Sequence, residues 1–280
     1  MRVRVIRLKE RGILPCLAVI LAGDNAASLS YVRGKRKALL EAGMEGRDFR
    51  LSAAVSEDEL LSLIASQNSD PSVHGILVQL PLPEHIREEA IINAIDPRKD
   101  VDCFHPLSLG KVLTGRHVFL PCTPQGIVVL LEQMNIPISG SHVVVVGRSN
   151  IVGKPLAMLL SRRELNATVT ICHTGTRDLK SHTLRADILI AAAGMPGLIR
   201  GNMIKEDAAV IDVGVNRVLD PSSKKGYRLQ GDVVFEEALE KAAWITPVPG
   251  GVGPMTIAML MKNLAGVAER GSAEHFNSEY

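Results

Sequence analysis

Tyr31 and Lys35 stand four residues apart, which puts them on one face of a helix. Two readings compete for this pair. Arg33, Lys35, Arg36 and Lys37 form a basic run, and such a run is usually a solvated face. Tyr-x-x-x-Lys is also a signature of short-chain dehydrogenases, but there the pair follows the cofactor's glycine loop within one domain. Here it lies far upstream of the only such loop. That loop is Gly147-Arg148-Ser149-Asn150-Ile151-Val152-Gly153-Lys154-Pro155, directly after the apolar run His142 to Val146. A glycine turn between strand and helix lets the backbone approach a pyrophosphate and offers it helix N–H groups. The match to G-x-G-x-x-G is loose. Ser149 stands where the second glycine would be, and the last glycine comes one residue late, so a plain tight turn competes with the cofactor reading.

The following strand weighs toward a cofactor. A site for NAD carries an acidic residue about 20 residues past the glycines, to hold the ribose 2′-hydroxyl. Here that position reads His173-Thr174, with no carboxylate. Arg148 beside the turn, a cationic His173, and the hydroxyls of Thr174 and Thr176 suit a 2′-phosphate, which favours NADP over NAD.

The elements that must position these residues alternate between short apolar runs and helical patterns. Strands are expected at 17–21, 50–55 and 75–79, with helices at 25–43, 57–67 and 88–94 and a loop over 96–109. A second series has strands at 142–146, 169–172, 188–192 and 210–213, with helices at 127–134, 155–162 and near Leu179. A Pro- and Gly-rich loop over 246–254 precedes a helix capped by Thr256 and running to Arg270, and a polar tail follows Gly271. Strand–helix alternation means parallel sheets with helical crossovers. The fold class is therefore α/β, with two domains. Residues 1–120 form an N-terminal parallel-sheet domain, 121–246 a Rossmann-type domain, and 247–280 return to the first.

Composition excludes several classes. The 280 residues are 46% hydrophobic and 22% charged, a globular balance that can bury a core without staples. Net charge is +2, from 32 basic and 30 acidic residues, and aromatics are only 3%. Neither a broad cationic surface nor stacking platforms for nucleic acid follow from that. Cys16, Cys103, Cys122 and Cys172 form no C-x-x-C pair, which argues for a reducing cytoplasm and against a disulfide framework. Histidines show no ligand spacing, so no metal is expected. Basic residues before the apolar run 13–22 resemble a signal peptide, but Pro15 interrupts the run and Gly23-Asp24-Asn25 closes it as a turn, which favours a buried strand. No apolar stretch reaches the roughly 18 residues of a membrane span.

Six blocks in order resemble the methylenetetrahydrofolate dehydrogenase/cyclohydrolase family. They are Tyr31-Val32-Arg33-Gly34-Lys35, Val78-Gln79-Leu80-Pro81-Leu82-Pro83, Lys99-Asp100-Val101-Asp102, Pro121-Cys122-Thr123-Pro124-Gln125-Gly126, the glycine turn at Gly147, and Val248 to Thr256. The chain departs from the family pattern at Cys103, where glycine is usual, at Ser108, where asparagine is usual, in Asp24-Asn25-Ala26-Ala27, which has alanine where proline is common, and in a short N-terminal segment. The resemblance implies oxidation of 5,10-methylenetetrahydrofolate with NADP, then hydrolysis of the methenyl product to 10-formyltetrahydrofolate, in one-carbon metabolism that feeds purine biosynthesis. It also implies a homodimer. It makes Lys35 the proton carrier of the hydrolysis, held by Gln79, with Tyr31 packing its ring on the folate and Asp102 accepting from the pterin's amino group and ring N–H. Leu80 and the Pro249-Gly250-Gly251-Val252 wall would contact substrate. Gly147, Arg148, Ser149, Gly153, His173, Thr174, Thr176 and Val215 would hold NADP, with Val215 near the nicotinamide.

Overall fold

The computed structural model describes residues 1–223 and 226–270; the polar tail after Gly271 lies outside them. The chain forms two compact units, Met1–Cys122 joined by the chain from Ile257, and Thr123–Thr256.

The first unit runs α1 (Arg2–Glu10), β1 (Cys16–Ala22), α2 (Ala26–Ala42), β2 (Glu45–Leu51), α3 (Glu57–Ser69), β3 (Gly75–Val78), α4 (Glu88–Ala94) and α5 (Pro106–Thr114). Its three strands pair in parallel in the order β2-β1-β3, with Cys16 opposite Glu45 and Leu17 opposite Gly75. β1 is apolar throughout because it is central, and all seven of its residues are buried. β2 lies upstream of the expected 50–55. Its sequence Glu-Gly-Arg-Asp-Phe-Arg-Leu hides the strand because an edge strand keeps its charges at the solvent. α3 starts on a capping box: Ser56 Oγ accepts from the Glu59 N–H at 3.2 Å, and the Glu59 carboxylate accepts from the Ser56 N–H at 3.0 Å. Part of the stretch expected as loop is helical. His105 Nδ1 accepts from the Leu107 N–H at 3.0 Å, Pro106 fills the first turn, and Gly115 ends α5 in the left-handed region. Ile20, Leu60, Ile64, Ile76 and Ile91 fill the core under the sheet.

The second unit carries α6 (Cys122–Gln133), β4 (His142–Val146), α7 (Gly153–Leu160), β5 (Thr168–Cys172), α8 (Leu179–Thr183), β6 (Ile188–Ala191), β7 (Ala209–Asp212), β8 (Asn216–Leu219), β9 (Tyr227–Gln230), α9 (Phe235–Leu239) and β10 (Trp244–Ile245). Five strands form a parallel sheet in the order β10-β7-β6-β4-β5, and β8 and β9 form an antiparallel hairpin. Val143 and Val145 face one core and Val144 and Val146 the other, which is why four valines run without a polar break. β5 lies on one side of β4 and β6 on the other, so the order reverses there. That reversal makes a crevice at the carboxyl ends of β4 and β6.

α10 (Val252–Arg270) starts four residues before the expected cap. Thr256 therefore sits inside the helix, where its hydroxyl donates to the Val252 carbonyl at 3.3 Å. The return to the first unit begins at Ile257 rather than at residue 247. There Leu260, Leu264 and Ala265 are buried, and Glu269 pairs with Arg4 of α1.

Candidate functional site

The first cluster lies in the first unit. Lys35, on α2, is buried at 7% exposure, and its Nζ donates to Gln79 Oε1 at 3.0 Å across 44 residues of sequence. A buried ammonium needs such a partner, so the basic run around it is not a uniformly solvated face. Gln79 is itself held twice. Its backbone N–H donates to the Ile20 carbonyl at 2.8 Å, extending β3 by one residue, and its Nε2 donates to the Leu80 carbonyl at 2.8 Å. That leaves Gln79 Oε1 as the atom offered to lysine. Tyr31 lies one helical turn before Lys35. Burial raises its phenol pKa, so the hydroxyl stays protonated as a donor.

Asp102 reaches this neighbourhood through the loop between α4 and α5. A parallel bridge of Ile76 with Asp100 lays that loop beside the sheet. Lys99 anchors it from one side, its Nζ donating to the carbonyls of Gln67 at 2.9 Å and Asp70 at 2.7 Å. The buried Asp100 carboxylate accepts from the N–H groups of Phe104 at 3.1 Å and His105 at 2.9 Å, and also from Ser108, at the position where asparagine was usual. From the other side Asn263 Nδ2 donates to the carbonyls of Val101 and Leu120, both at 2.9 Å. The Cys122 thiol donates to the Val101 carbonyl at 3.3 Å and lies within electrostatic reach of Asp102 and Lys35. Burial, reinforced by Asp102, pushes its thiol well above the ordinary value, so it remains a protonated donor. Cys103 holds a left-handed backbone, φ 61°, with its side chain fully buried. The usual glycine at this position has a backbone reason.

The second cluster lies at the crevice of the second unit. Gly147 takes φ 133°, and a Cβ there would overlap the Ala192 carbonyl after β6. Gly153 packs as closely on the Gly147 carbonyl. Ser149, out of place for the glycine motif, closes the turn with its side chain. Its Oγ accepts from the N–H groups of Val152 at 3.2 Å and Gly153 at 3.4 Å. The Gly147 N–H donates to the Cys172 carbonyl at 2.8 Å, which sets His173 beside the turn. His173 Nδ1 accepts from the Gly175 N–H at 3.0 Å, which leaves Nε2 as the ring nitrogen for another partner. Thr176 is spent differently from expectation. Its Oγ1 accepts from the His173 N–H at 2.9 Å and bonds Cys172, so it shapes the turn, while Thr174 stays exposed. Arg148 is exposed, and no hydrogen bond or ion pair holds it among the described residues. Val215 is 41% exposed just past β7. Pro249, Gly250 and Gly251 form the turn before α10, closed by the Gly251 N–H on the Pro247 carbonyl at 2.9 Å, and Val252 opens the helix; all four belong to the second unit.

Sequence reasoning missed the residues behind these surfaces. Asp212 and Asp232 are buried carboxylates that accept only from the backbone and from Asn216. Burial, reinforced by the Asp232 charge, pushes Asp212 up to about 6 despite three N–H donors. The signal available was an aspartate ending an apolar strand, Ile211-Asp212, which only a buried acceptor explains. Asn263 had no signal beyond its place in a long apolar helix. Among the described residues no three His, Cys, Asp or Glu side chains cluster as metal ligands, and no helix is long and apolar enough to cross a membrane.

A doubly wound NAD(P)-type unit and a second α/β unit that holds a buried lysine–glutamine pair define a dinucleotide-dependent enzyme class. The chain belongs to the tetrahydrofolate dehydrogenase/cyclohydrolase family. Residues 1–102 match the model of its catalytic domain and residues 121–272 that of its NAD(P)-binding domain. The bifunctional protein FolD of Bacillus pumilus is 57% identical over 95% of this chain and 91% of its own length. Its counterpart in Moorella thermoacetica is 58% identical over 95% and 92%. The crystal structure of the bifunctional FolD dehydrogenase/cyclohydrolase from Campylobacter jejuni superposes with a TM-score of 0.90, at 47% identity over 96% of this chain and 93% of that one. The Trypanosoma brucei enzyme, complexed with NADP cofactor and inhibitor, gives 0.92 at 42% identity over 96% and 92%.

Proposed function

We propose that this protein oxidises 5,10-methylenetetrahydrofolate with NADP and hydrolyses the 5,10-methenyl product to 10-formyltetrahydrofolate, with Lys35 as the proton carrier. The observation that carries the reading is the Lys35 Nζ–Gln79 Oε1 bond at 3.0 Å, in a buried setting beside Asp102 and Cys122. Water addition to a methenyl carbon and ring opening both require proton movement, and an aimed amine supplies it. Gln79 fixes where that amine points. Tyr31, protonated and half-buried, offers the folate an aromatic face and a donor. Asp102 accepts from the pterin edge, and the loop behind it is tied on both sides, so the carboxylate costs little ordering when substrate arrives. Leu80 extends the wall beside Gln79, and Pro249, Gly250, Gly251 and Val252 supply a stiff turn.

The second unit fits NADP. The Gly147 cradle is one that any Cβ would fill, and Arg148 is a guanidinium with no competing partner among the described residues. Gly147, Ser149 and Gly153 would seat the pyrophosphate, with Arg148, Thr174 and Nε2 of His173 at the 2′-phosphate and Thr176 shaping their turn. Val215 would flank the nicotinamide, which supplies the hydride acceptor when bound. Four free, buried cysteines support a reducing cytoplasm, and the family resemblance supports a homodimer, which sedimentation would check. The direct test mixes the protein with methylenetetrahydrofolate and NADP and follows methenyltetrahydrofolate and NADPH absorbance. NADPH formation followed by decay of the methenyl band is expected. NADPH binding without turnover would defeat the reading.

A further inference from the structure

Behind the crevice of the second unit, two buried carboxylates are linked in series. Asp212, the last residue of β7, accepts from the N–H groups of Gly214 at 2.9 Å, Asp232 at 2.9 Å and Val233 at 2.9 Å. It thereby fixes the backbone that carries Asp232. Asp232 is fully buried and turns its own carboxylate to the opposite side. Its Oδ2 accepts from the N–H groups of Ala193 at 2.6 Å and Gly194 at 2.8 Å, and its Oδ1 accepts from Asn216 Nδ2 at 2.8 Å. Packing leaves no slack: a Cβ on Gly231 would overlap the Asp212 carboxylate. No cation pairs with Asp232 among these contacts. Two backbone N–H groups and the Asn216 amide are its donors, a buried arrangement that is costly to keep unless the groups it holds must stay fixed.

Those groups are informative. Ala193 and Gly194 follow β6, and the neighbouring Ala192 carbonyl is the atom against which Gly147 packs. Asn216 follows Val215 at the end of β7. Asp232 therefore ties the exit of β6, which borders the crevice at the point of sheet reversal where an α/β sheet takes its dinucleotide, to the chain leaving β7, the next strand in the sheet. The Lys35–Gln79 pair lies in the other unit.

We propose that Asp232 is a positioning residue for the dehydrogenase step. It holds the Ala193–Gly194 and Val215–Asn216 backbone in the form that receives the nicotinamide half of the cofactor, and it has no part in the hydrolysis. The inference rests on the proposed function, and two readouts separate the two. Asp232→Ala removes all three bonds and should weaken NADPH binding, read by fluorescence titration, and lower dehydrogenase kcat/KM by tenfold or more. Hydrolysis of methenyltetrahydrofolate without cofactor should stay within about twofold. Asp232→Asn keeps one acceptor oxygen and should recover most of the loss. Asn216→Ala breaks a single bond and should cost about threefold in the dehydrogenase, serving where Asp232→Ala folds poorly. Equal losses in both activities, or intact NADPH affinity in Asp232→Ala and Asn216→Ala, would overturn the assignment. Should the wild type bind NADPH without turnover, the function falls, and the NADPH affinities still decide on Asp232.

Discussion

The two units prepare their ligand surfaces by different means. The first uses side-chain atoms from distant stretches: Lys35 on a helix, Gln79 at a strand end and held by the Ile20 and Leu80 carbonyls, and Asp102 on a loop braced by Asn263, Lys99 and Asp100. The second uses clearance and backbone. Gly147 and Gly153 vacate space, Ser149 and Thr176 close turns, and Asp232 pins strand exits. Side-chain chemistry is needed where protons move, whereas a pyrophosphate is held well enough by N–H groups and an open path. One substitution should therefore strip one function from the first unit, while changes in the second should grade cofactor affinity.

The largest effect should come from Lys35→Met, which keeps the apolar stem and removes the amine. Cyclohydrolase activity should fall by roughly 10²–10⁴-fold and the dehydrogenase by less, so methenyltetrahydrofolate accumulates in the absorbance assay. A uniform loss in a folded, NADPH-binding variant would make Lys35 a shared binding residue and blur the contrast between the units. Next, Arg148→Ala should raise KM for NADP by roughly tenfold to a hundredfold, about 1.5–3 kcal/mol for a charge-assisted contact, and leave KM for NAD nearly unchanged. Parallel changes with both cofactors would remove Arg148 from the 2′-phosphate.

A smaller effect concerns pH. Asp212 titrates at about 6 in the fold, above the roughly 3.9 of an unfolded aspartate. The folded chain thus binds the extra proton between those values. The stability this group contributes is full below about 4 and is lost as pH rises through about 6. Asp212→Asn should flatten the fall in Tm between pH 5 and pH 7, measured by calorimetry; an unchanged slope would reassign the titration. The smallest effect is expected at Cys103. Cys103→Gly relieves a left-handed backbone, worth about 0.4–1 kcal/mol, and gives up a similar amount of buried thiol surface. Tm should move by only a few degrees with both activities kept, whereas Cys103→Val, branched at a positive φ, should unfold several degrees earlier.

How much of this could be read from the residues differs by unit. β4 and the glycine turn were legible locally, because strand, turn and helix start lie within a dozen residues and each has its own pattern. The missing acid at His173-Thr174 was equally local, and it is what carries the expectation of a 2′-phosphate. The Lys35–Gln79 bond was not readable from spacing, since 44 residues separate its partners; only the family resemblance joined them. β2 escaped because edge strands keep charges, and α5 because its cap is a histidine rather than a usual capping residue. The β8–β9 hairpin and the Asp212–Asp232 series left little trace, since their meaning lies in which backbone donors they meet.

Asn263 and its helix also bear on the order in which the protein can be completed during synthesis. The segment Thr123–Thr256 is continuous, so all of it has left the ribosome before Ile257 and the rest of α10 emerge. The first unit, though made earlier, waits for Leu260, Asn263 and Leu264 to fill its core and tie down the carbonyls of Val101 and Leu120. A nascent chain exposed only as far as Thr256 should therefore carry a protease-resistant cofactor unit and a still-open N-terminal half. A chaperone that binds exposed apolar surface should favour that half until Leu260, Asn263 and Leu264 emerge.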